Sequence, residues 1–326
     1  MIRGLIQISL IVAIGISATC LFAQQDQSAR QAASRAVNKL ADKQKYDLKY
    51  RFKVGEEVRW TVEHKATTKT QIAGKLETSS SRTRSVKLWK IKSIDDVGNI
   101  SFVHSVESTV LWQQVGDAAP VSFDSNSDDE APDEFAQALE AIGKPLAVVT
   151  ISPIGKVVDR KVDPSRASFG VGDVCTPFPN KPIAVGHRWF VPTEFDVTDD
   201  DGRNLKLKAR VNYELSKVVQ NVAIISFRTE VLTPIESDQI RSKLLQKMND
   251  GYVAFDIQMG RLTTREIEWN EKVQEYAGAD SFLRYTGKMT EKIVLKSPSQ
   301  NRQDRVSKSK PRAKVKRPGD KPVIRK

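Results

Sequence analysis

Most of the chain alternates apolar and polar residues with a period of two. The clearest run has Lys, Arg, Asn and Glu between its apolar members, which are Leu205, Leu207, Ala209, Val211, Tyr213 and Leu215. An earlier run with the same period contains Leu48, Tyr50, Phe52, Val54, Val58, Trp60 and Val62. Successive side chains of a strand point to opposite faces of its sheet. The pattern therefore predicts half-buried antiparallel strands from Tyr46 to about Leu295.

Turn residues separate these runs at regular intervals. The predicted turns are Asp95–Asn99, Pro153–Lys156, Asp199–Gly202 and Met259–Arg261. Gly, Asn and Asp accept the backbone conformations that tight hairpins need. Roughly a dozen strands in one sheet must curl or split. We therefore predict a mainly β fold, with one large curved antiparallel sheet or half-barrel built from two similar halves, each carrying a short inserted helix.

Two segments break the strand pattern with helical spacing. In residues 133–142, Phe135, Leu139 and Ile142 share one face, and Gly143 follows. Residues 237–250 begin at a capping serine and end before Gly251. Their apolar stripe consists of Ile240, Leu244 and Met248. We predict one short helix at each place.

Three sequence segments recur in the same order. The matched pairs are 54–62 with 185–191, 99–108 with 223–232, and 148–162 with 254–268. A predicted helix lies between the second and third member of each set. This order favours an internal duplication of residues 46–162 and 181–295 within one β-rich domain, 46–296. Similar hairpins without common ancestry are the alternative.

The first 23 residues have the layout of a secretory signal peptide. Arg3 supplies a positive start, an apolar run follows, and Ala23 precedes a polar segment. We expect cleavage near Ala23 and export to the periplasm or beyond. An uncleaved membrane anchor and lipidation at Cys20 are the alternatives. Cleavage would leave Cys175 as the single cysteine and no intramolecular disulfide. Residues 24–45 read as a linker or short helix.

The net charge of +12 is concentrated at the C-terminus. Residues 297–326 contain 11 Lys and Arg and 2 Asp and Glu, whereas residues 24–296 contain 40 basic and 38 acidic residues. The segment has four prolines and no apolar periodicity, which is typical of a disordered tail. The folded body is therefore predicted to be nearly neutral.

A basic tail of this kind can act as an electrostatic tether to an anionic surface, or simply be a solvated end. The candidate tether residues are Lys308, Lys310, Arg312, Lys314, Lys316 and Arg317. No aromatic residue lies in the tail, so base stacking is not available. This disfavours nucleic acid as the partner and favours a membrane face or envelope polymer.

No spacing of reactive residues indicates a catalytic or metal site. His64, His104 and His187 are scattered, and Cys175 has no cation or helix start beside it in the sequence. The Asp199–Asp201 cluster lacks the acid at position 197 that a calcium loop would need. We expect no cofactor, no metal and no enzymatic activity.

The five tryptophans all lie in or beside predicted strands. They are Trp60, Trp89, Trp112, Trp189 and Trp269. Such side chains serve either as core packing or as the lining of a ligand face. Both readings stand at this point.

Three segments resemble a known group of proteins. LKYRFKVGEEVRW, ISPIGKVVD and FPNKPIAVGHRWFVP are similar to motifs of exported bacterial proteins and lipoproteins grouped under a domain of unknown function. The likeness covers residues 46–295 approximately. It implies a β-rich exported domain and carries over no catalytic residue. The weak lipidation motif and the long basic tail depart from the lipoprotein members.

Three functions follow as hypotheses. The first is a non-catalytic envelope protein that holds an apolar or amphipathic molecule, such as a lipid, in a concave sheet. The second is a structural or interaction protein tethered by its tail, and the third is an exported hydrolase. A cavity with apolar walls would favour the first, a filled core the second, and a convergent catalytic cluster the third. The sequence leaves the oligomeric state open.

Overall fold

The computed structural model describes residues 44–162, 175–199 and 201–295. Within these ranges the chain forms twelve strands. The first half contains β1 (Glu57–Ile72), β2 (Lys75–Ile94), β3 (Ile100–Val115), β4 (Val121–Asp124), β5 (Pro145–Ile151) and β6 (Val157–Val162). The second half contains β7 (Arg188–Thr198), β8 (Asn204–Val219), β9 (Val222–Val231), β10 (Asp250–Asp256), β11 (Arg261–Gln274) and β12 (Phe282–Ile293).

All twelve strands belong to one antiparallel sheet. Its order is β6-β5-β3-β2-β1-β12-β11-β10-β9-β8-β7, and β4 pairs with β3 beside this path. The sheet is open, because β6 and β7 lie at opposite edges and do not pair with each other. The prediction of a mainly β fold built on one large antiparallel sheet is confirmed.

The strand order divides into two meanders of five strands. In one, β1, β2, β3, β5 and β6 follow each other, and in the other β7 to β11 do so. β12 lies between β11 and β1 and joins the two. Each meander has its helical segment between its third and fourth strands. This is the arrangement that a duplication predicts, although common ancestry itself stays a prediction.

The two helical segments are shorter than the sequence predicted. The first is a 3₁₀ turn, Asp133–Phe135, followed by α1 (Ala136–Leu139), instead of a helix over 133–142. The second is α2 (Asp238–Leu244), capped as expected by the Ser237 side chain, which accepts from the Ile240 amide. α2 ends early because Asn249 already accepts a hydrogen bond from the Thr229 amide of β9. Residues 245–247 form a turn, in which the Lys247 amide donates to Leu244 O, and pairing with β9 follows it.

One face of the sheet buries the main hydrophobic core. The aromatic centre of this core is a chain of rings in contact, Trp60, Trp89 and Phe102, with centroid separations of 4.8 and 4.1 Å. In β8, the residues Leu207, Ala209, Tyr213 and Leu215 are all buried. The period-two pattern of the sequence therefore identified the inward face of this strand correctly.

The segment before β1 runs across the core and is held there by both halves. The Tyr50 amide donates to Pro153 O at 2.7 Å, and the Arg51 amide donates to Gly260 O at 2.9 Å. Gly155 packs against the Tyr50 ring at a φ of +77°, where an added Cβ would lie 2.5 Å from a ring carbon. Both hairpin tips therefore need glycine to let this segment pass.

Of the segment that follows β12, the structure describes residues 294–295. The predicted tail and all its candidate tether residues lie outside the described residues, as do the leader and most of the predicted linker. No helix in the described part of the chain has the length and apolar character needed to cross a membrane.

Truncation after Lys296 should leave the thermal midpoint of unfolding within about 2 °C of the full chain. The reason is that the removed residues contain no periodic apolar positions that could join the core. Differential scanning calorimetry of both forms measures this. A much lower midpoint in the truncated form would contradict the assignment of residues 297–326 as a separate tail.

Candidate functional site

The inner face of the sheet encloses a cavity of about 920 Å³ among the described residues. We call it the inner cavity. Strands from both meanders line it, together with the segment around Cys175 and the residues that follow α2. Apolar side chains form most of its wall. They include Val62, Val106, Leu146, Ile154, Phe178, Phe190, Phe195, Val211, Tyr213, Ile267, Trp269 and Met289.

A more open depression of about 540 Å³ lies between β1, β2, β11 and β12. Its lining consists mainly of lysine, arginine and hydroxyl side chains, among them Lys65, Arg82, Arg284 and Lys288. It lacks the apolar wall of the inner cavity. We therefore treat the inner cavity as the candidate site.

A buried ion pair lies in the wall of the inner cavity. Lys87 of β2 contacts Glu291 of β12 through its ammonium nitrogen and the Oε1 atom. The side chains are 15 % and 7 % exposed. Removing two charges from water costs several kcal/mol per ion unless they are well paired. A pair kept in an apolar wall is therefore a candidate for function rather than for stability.

Aromatic rings surround the ammonium group of Lys87. Its nitrogen lies 4.8 Å from the ring centroid of Trp60 and 5.3 Å from that of Trp89. Burial, followed by the positive charge of Arg265, lowers the pKa of Lys87 to about 7. The charge of this lysine therefore responds to pH near neutrality.

Arg265 adds a second cation to the same wall. It lies directly opposite Glu291 in the pairing of β11 with β12, and its guanidinium is 5.8 Å from the Phe227 ring centroid. Among the described residues, the cavity lining contains five basic side chains and one acidic side chain. The basic residues are Lys87, Lys156, Arg160, Lys247 and Arg265. The described lining is therefore mostly apolar and contains more basic than acidic side chains.

His104 of β3 also lines the inner cavity. It is 6 % exposed, and its Nδ1 atom has no hydrogen-bond partner among the described residues. Burial, with the nearby charges of Lys87 and Arg160, lowers the pKa of His104 to about 3. The ring is thus neutral at pH 7, with one nitrogen able to donate or accept within the cavity.

The structure separates the five tryptophans into different roles. Trp60 and Trp89 are core residues at 2 % and 1 % exposure, whereas Trp269 lines the inner cavity. Trp189 packs partly buried against the core and stacks on Tyr213 at 5.4 Å. Trp112 stacks under Arg82 at 5.1 Å. The tryptophans thus do not form one ligand face.

The three histidines have different neighbours. The Nε2 atom of His64 lies 3.4 Å from the Tyr285 hydroxyl, and His187 stacks on Trp189. Burial lowers the pKa of His64. Across the described ranges there is no cluster of three or more His, Cys, Asp or Glu that could hold a metal ion.

The structure also shows the surroundings of the two remaining candidates of the sequence analysis, Cys175 and the hairpin tip at Asp199. Cys175 is a thiol at 6 % exposure in the wall of the inner cavity. In the hairpin tip at Asp199, the carboxylate accepts hydrogen bonds from the Arg203 amide and Nε, both at 2.8 Å. An arginine therefore neutralises the carboxylate that a calcium loop would have used.

Sequence reasoning missed Lys87, Glu291, Arg265 and His104 as members of one site. A signal was present for two of them. Lys87 lies two residues before Trp89 and Glu291 two residues before Ile293, so both are in phase with inward-facing positions. Charged residues in phase with buried ones indicate a polar group on the inner face of a sheet.

Comparisons with known proteins give a limited result. Neither a family model nor a curated protein matches this chain. Among solved structures, the chain is similar to one titled for lipid–protein interactions in lipovitellin, with a TM-score of 0.44 and 10 % sequence identity. The match covers 75 % of this chain and 26 % of that one. The chain thus spans about a quarter of that protein's length.

Proposed function

We propose that this chain is a non-catalytic binding protein that holds an apolar or amphipathic molecule in the inner cavity. The observation that carries this proposal is the cavity itself, at about 920 Å³ with mostly apolar walls. Cavities that take small molecules have volumes of about 300–1,000 Å³ and are lined mainly by apolar and aromatic side chains.

The charged groups of the cavity support binding rather than turnover. Lys87 is engaged by the carboxylate of Glu291 and by the rings of Trp60 and Trp89. A lysine held in this way is suited to recognising charge rather than to activating a nucleophile. The signal-like leader supports a place for this activity in the cell envelope after export.

Binding can be tested with the neutral fluorescent probe N-phenyl-1-naphthylamine and the purified full chain. We expect saturable fluorescence enhancement. In the double variant Val62→Trp/Val211→Trp, whose added rings narrow the cavity, affinity should fall about tenfold, equivalent to about 1.4 kcal/mol. Mass spectrometry of organic extracts of the protein would identify any retained molecule.

The matched control is Val148→Trp/Val158→Trp, which places the same rings at exposed positions. It should bind the probe as the wild type does. Equal probe binding by the cavity variant and this control would contradict the proposed function. If the double cavity variant does not unfold cooperatively, the same binding measurement is made on Val62→Trp and Val211→Trp separately.

A further inference from the structure

We infer that the open depression of about 540 Å³ on β1, β2, β11 and β12 is a second binding site, and that it takes a linear acidic polysaccharide with a carboxylate on each sugar. The depression lies on the face of the sheet opposite to the core. Trp60 of β1 points into the core, and residues 65, 67 and 69 are separated from it by odd numbers of residues, so their side chains point to the other face. This inference is therefore independent of the proposed function.

Short polar side chains form the floor of the depression. Thr67 of β1 lies opposite Ser80 of β2 and Thr286 of β12, and Asn270 of β11 continues the same row. The Thr67 and Ser80 hydroxyl oxygens are 3.3 Å apart, and the Thr286 hydroxyl donates to Thr67 O at 3.4 Å. A row of hydroxyl and amide groups offers donors and acceptors to the hydroxyls of a sugar chain that crosses the strands.

Longer cationic side chains stand on both sides of this floor. Lys65 and Arg82 lie opposite each other on one side, and Lys69, Arg284 and Lys272 follow each other across three strands on the other. All five are exposed, and none of them forms an ion pair within the part of the chain that the structure describes. We call the floor and these two rows the basic groove. Its long side chains direct positive charge towards a polymer that lies along the short ones.

Three carboxylates lie beside the basic groove on the same face, and each already has a cation. Glu63 accepts from Arg84 Nε at 2.9 Å. Glu266 and Glu268 both accept from Lys288 Nζ, at 2.7 and 3.0 Å. With Arg84 and Lys288 included, the side chains named here are seven basic and three acidic. This surplus of positive charge is complementary to a polyanion.

The spacing and the shape of the basic groove favour a sugar chain over other polyanions. Neighbouring strands lie about 4.7–4.9 Å apart, which is close to the length of one sugar ring in an extended polysaccharide. A polymer with one carboxylate on each ring therefore meets successive strands in step. The floor residues include no aromatic ring on which a nucleic-acid base could stack. A flat membrane surface would contact the tips of the cations and leave the floor hydroxyls unused.

Isothermal titration calorimetry with polygalacturonate tests the inference on the purified full chain. We expect the wild type to bind polygalacturonate at least tenfold more tightly than its methyl ester, because the ester has no charge. The groove variant Lys65→Gln/Lys69→Gln/Lys272→Gln should bind polygalacturonate about tenfold more weakly than the wild type. Each exposed charge contact contributes modestly, and three are lost together.

The matched control is Lys181→Gln/Lys208→Gln/Lys217→Gln, which removes the same charge from three exposed lysines outside the basic groove. Its affinity for polygalacturonate should stay within about twofold of the wild type. Both variants retain the basic residues of 297–326, so any contribution of that segment to binding is the same in the two chains. All six substitutions are at exposed positions, and both variants should unfold at the wild-type midpoint.

Equal affinity of the two variants for polygalacturonate would overturn the inference. Equal binding of polygalacturonate and its methyl ester by the wild type would also overturn it, and this comparison needs no variant to fold. Single-stranded DNA and phosphatidylglycerol vesicles are titrated in the same way. If the groove variant loses its affinity for either of them as strongly as for polygalacturonate, the assignment to a polysaccharide is wrong. These results do not involve the inner cavity, so the proposed function stands or fails separately.

Discussion

Replacing Trp60 with alanine should lower the free energy of unfolding by about 3–5 kcal/mol, the usual cost of removing a large aromatic side chain from a core. Trp60 is 2 % exposed and contacts the Trp89 ring at 4.8 Å. Its indole N–H donates to Leu262 O at 3.0 Å, which ties β1 to the start of β11. Alanine would lose this bond and leave a cavity. Urea unfolding followed by circular dichroism measures the change.

The duplication hypothesis predicts a similar loss for Trp189→Ala. The Trp189 indole N–H donates to Pro177 O at 3.0 Å, and its ring packs on the same core. Trp112→Ala is the control, because Trp112 packs on Arg82 outside that core, and it should cost about 1–2 kcal/mol. A small effect at Trp189, or two halves that fail to superpose through Trp60 and Trp189, would contradict the duplication.

Acidification should destabilise the chain through His104 by about 3 kcal/mol between pH 6.5 and about pH 4, at 1.36 kcal/mol per pKa unit. Burial lowers the pKa of His104 in the folded chain to about 3, against an ordinary value of 6.5. In this window the unfolded chain binds a proton at His104 and the folded chain does not. Stability therefore falls as the pH falls from 6.5 towards 3, and this contribution is fully present above 6.5.

The measurement compares urea unfolding of the wild type and His104→Phe at about pH 7 and about pH 4. Acid-sensitive carboxylates affect both chains alike, so the difference between their pH dependences isolates His104. His104→Phe should lose about 3 kcal/mol less than the wild type on acidification. Identical pH dependence in the two chains would show that His104 is charged in the folded state at acid pH.

The strands could be predicted from the sequence because each carries its own pattern. In β8, alternate residues from Leu205 to Leu215 are apolar, and all of them lie on the inner face. The helix ends were less predictable. α2 ends at Leu244 because Asn249 and Asp250 pair with β9, and such pairing between distant segments competes with a local helical pattern.

The candidate site was hidden for two physical reasons. Lys87 shares one face of β2 with Trp89, while Val86 and Leu88 lie on the other face, so apolar residues occupy both faces and alternation does not show which side is buried. Its partner Glu291 is far away in the sequence and reaches it because β12 pairs with β1. This pairing of distant strands cannot be read from a local window.

The sequence by itself determined the local properties of this protein: strands by their period of two, turns by glycine and asparagine, and the start of α2 by its serine cap. These depend on neighbouring residues, whose interactions are settled by backbone geometry and side-chain type. The tertiary structure alone decided that β12 joins the two meanders and that Lys87, Glu291, Arg265 and His104 meet in one apolar cavity. Burial lowers the pKa of Lys87 and of His104, and the burial of a side chain depends on the assembled sheet.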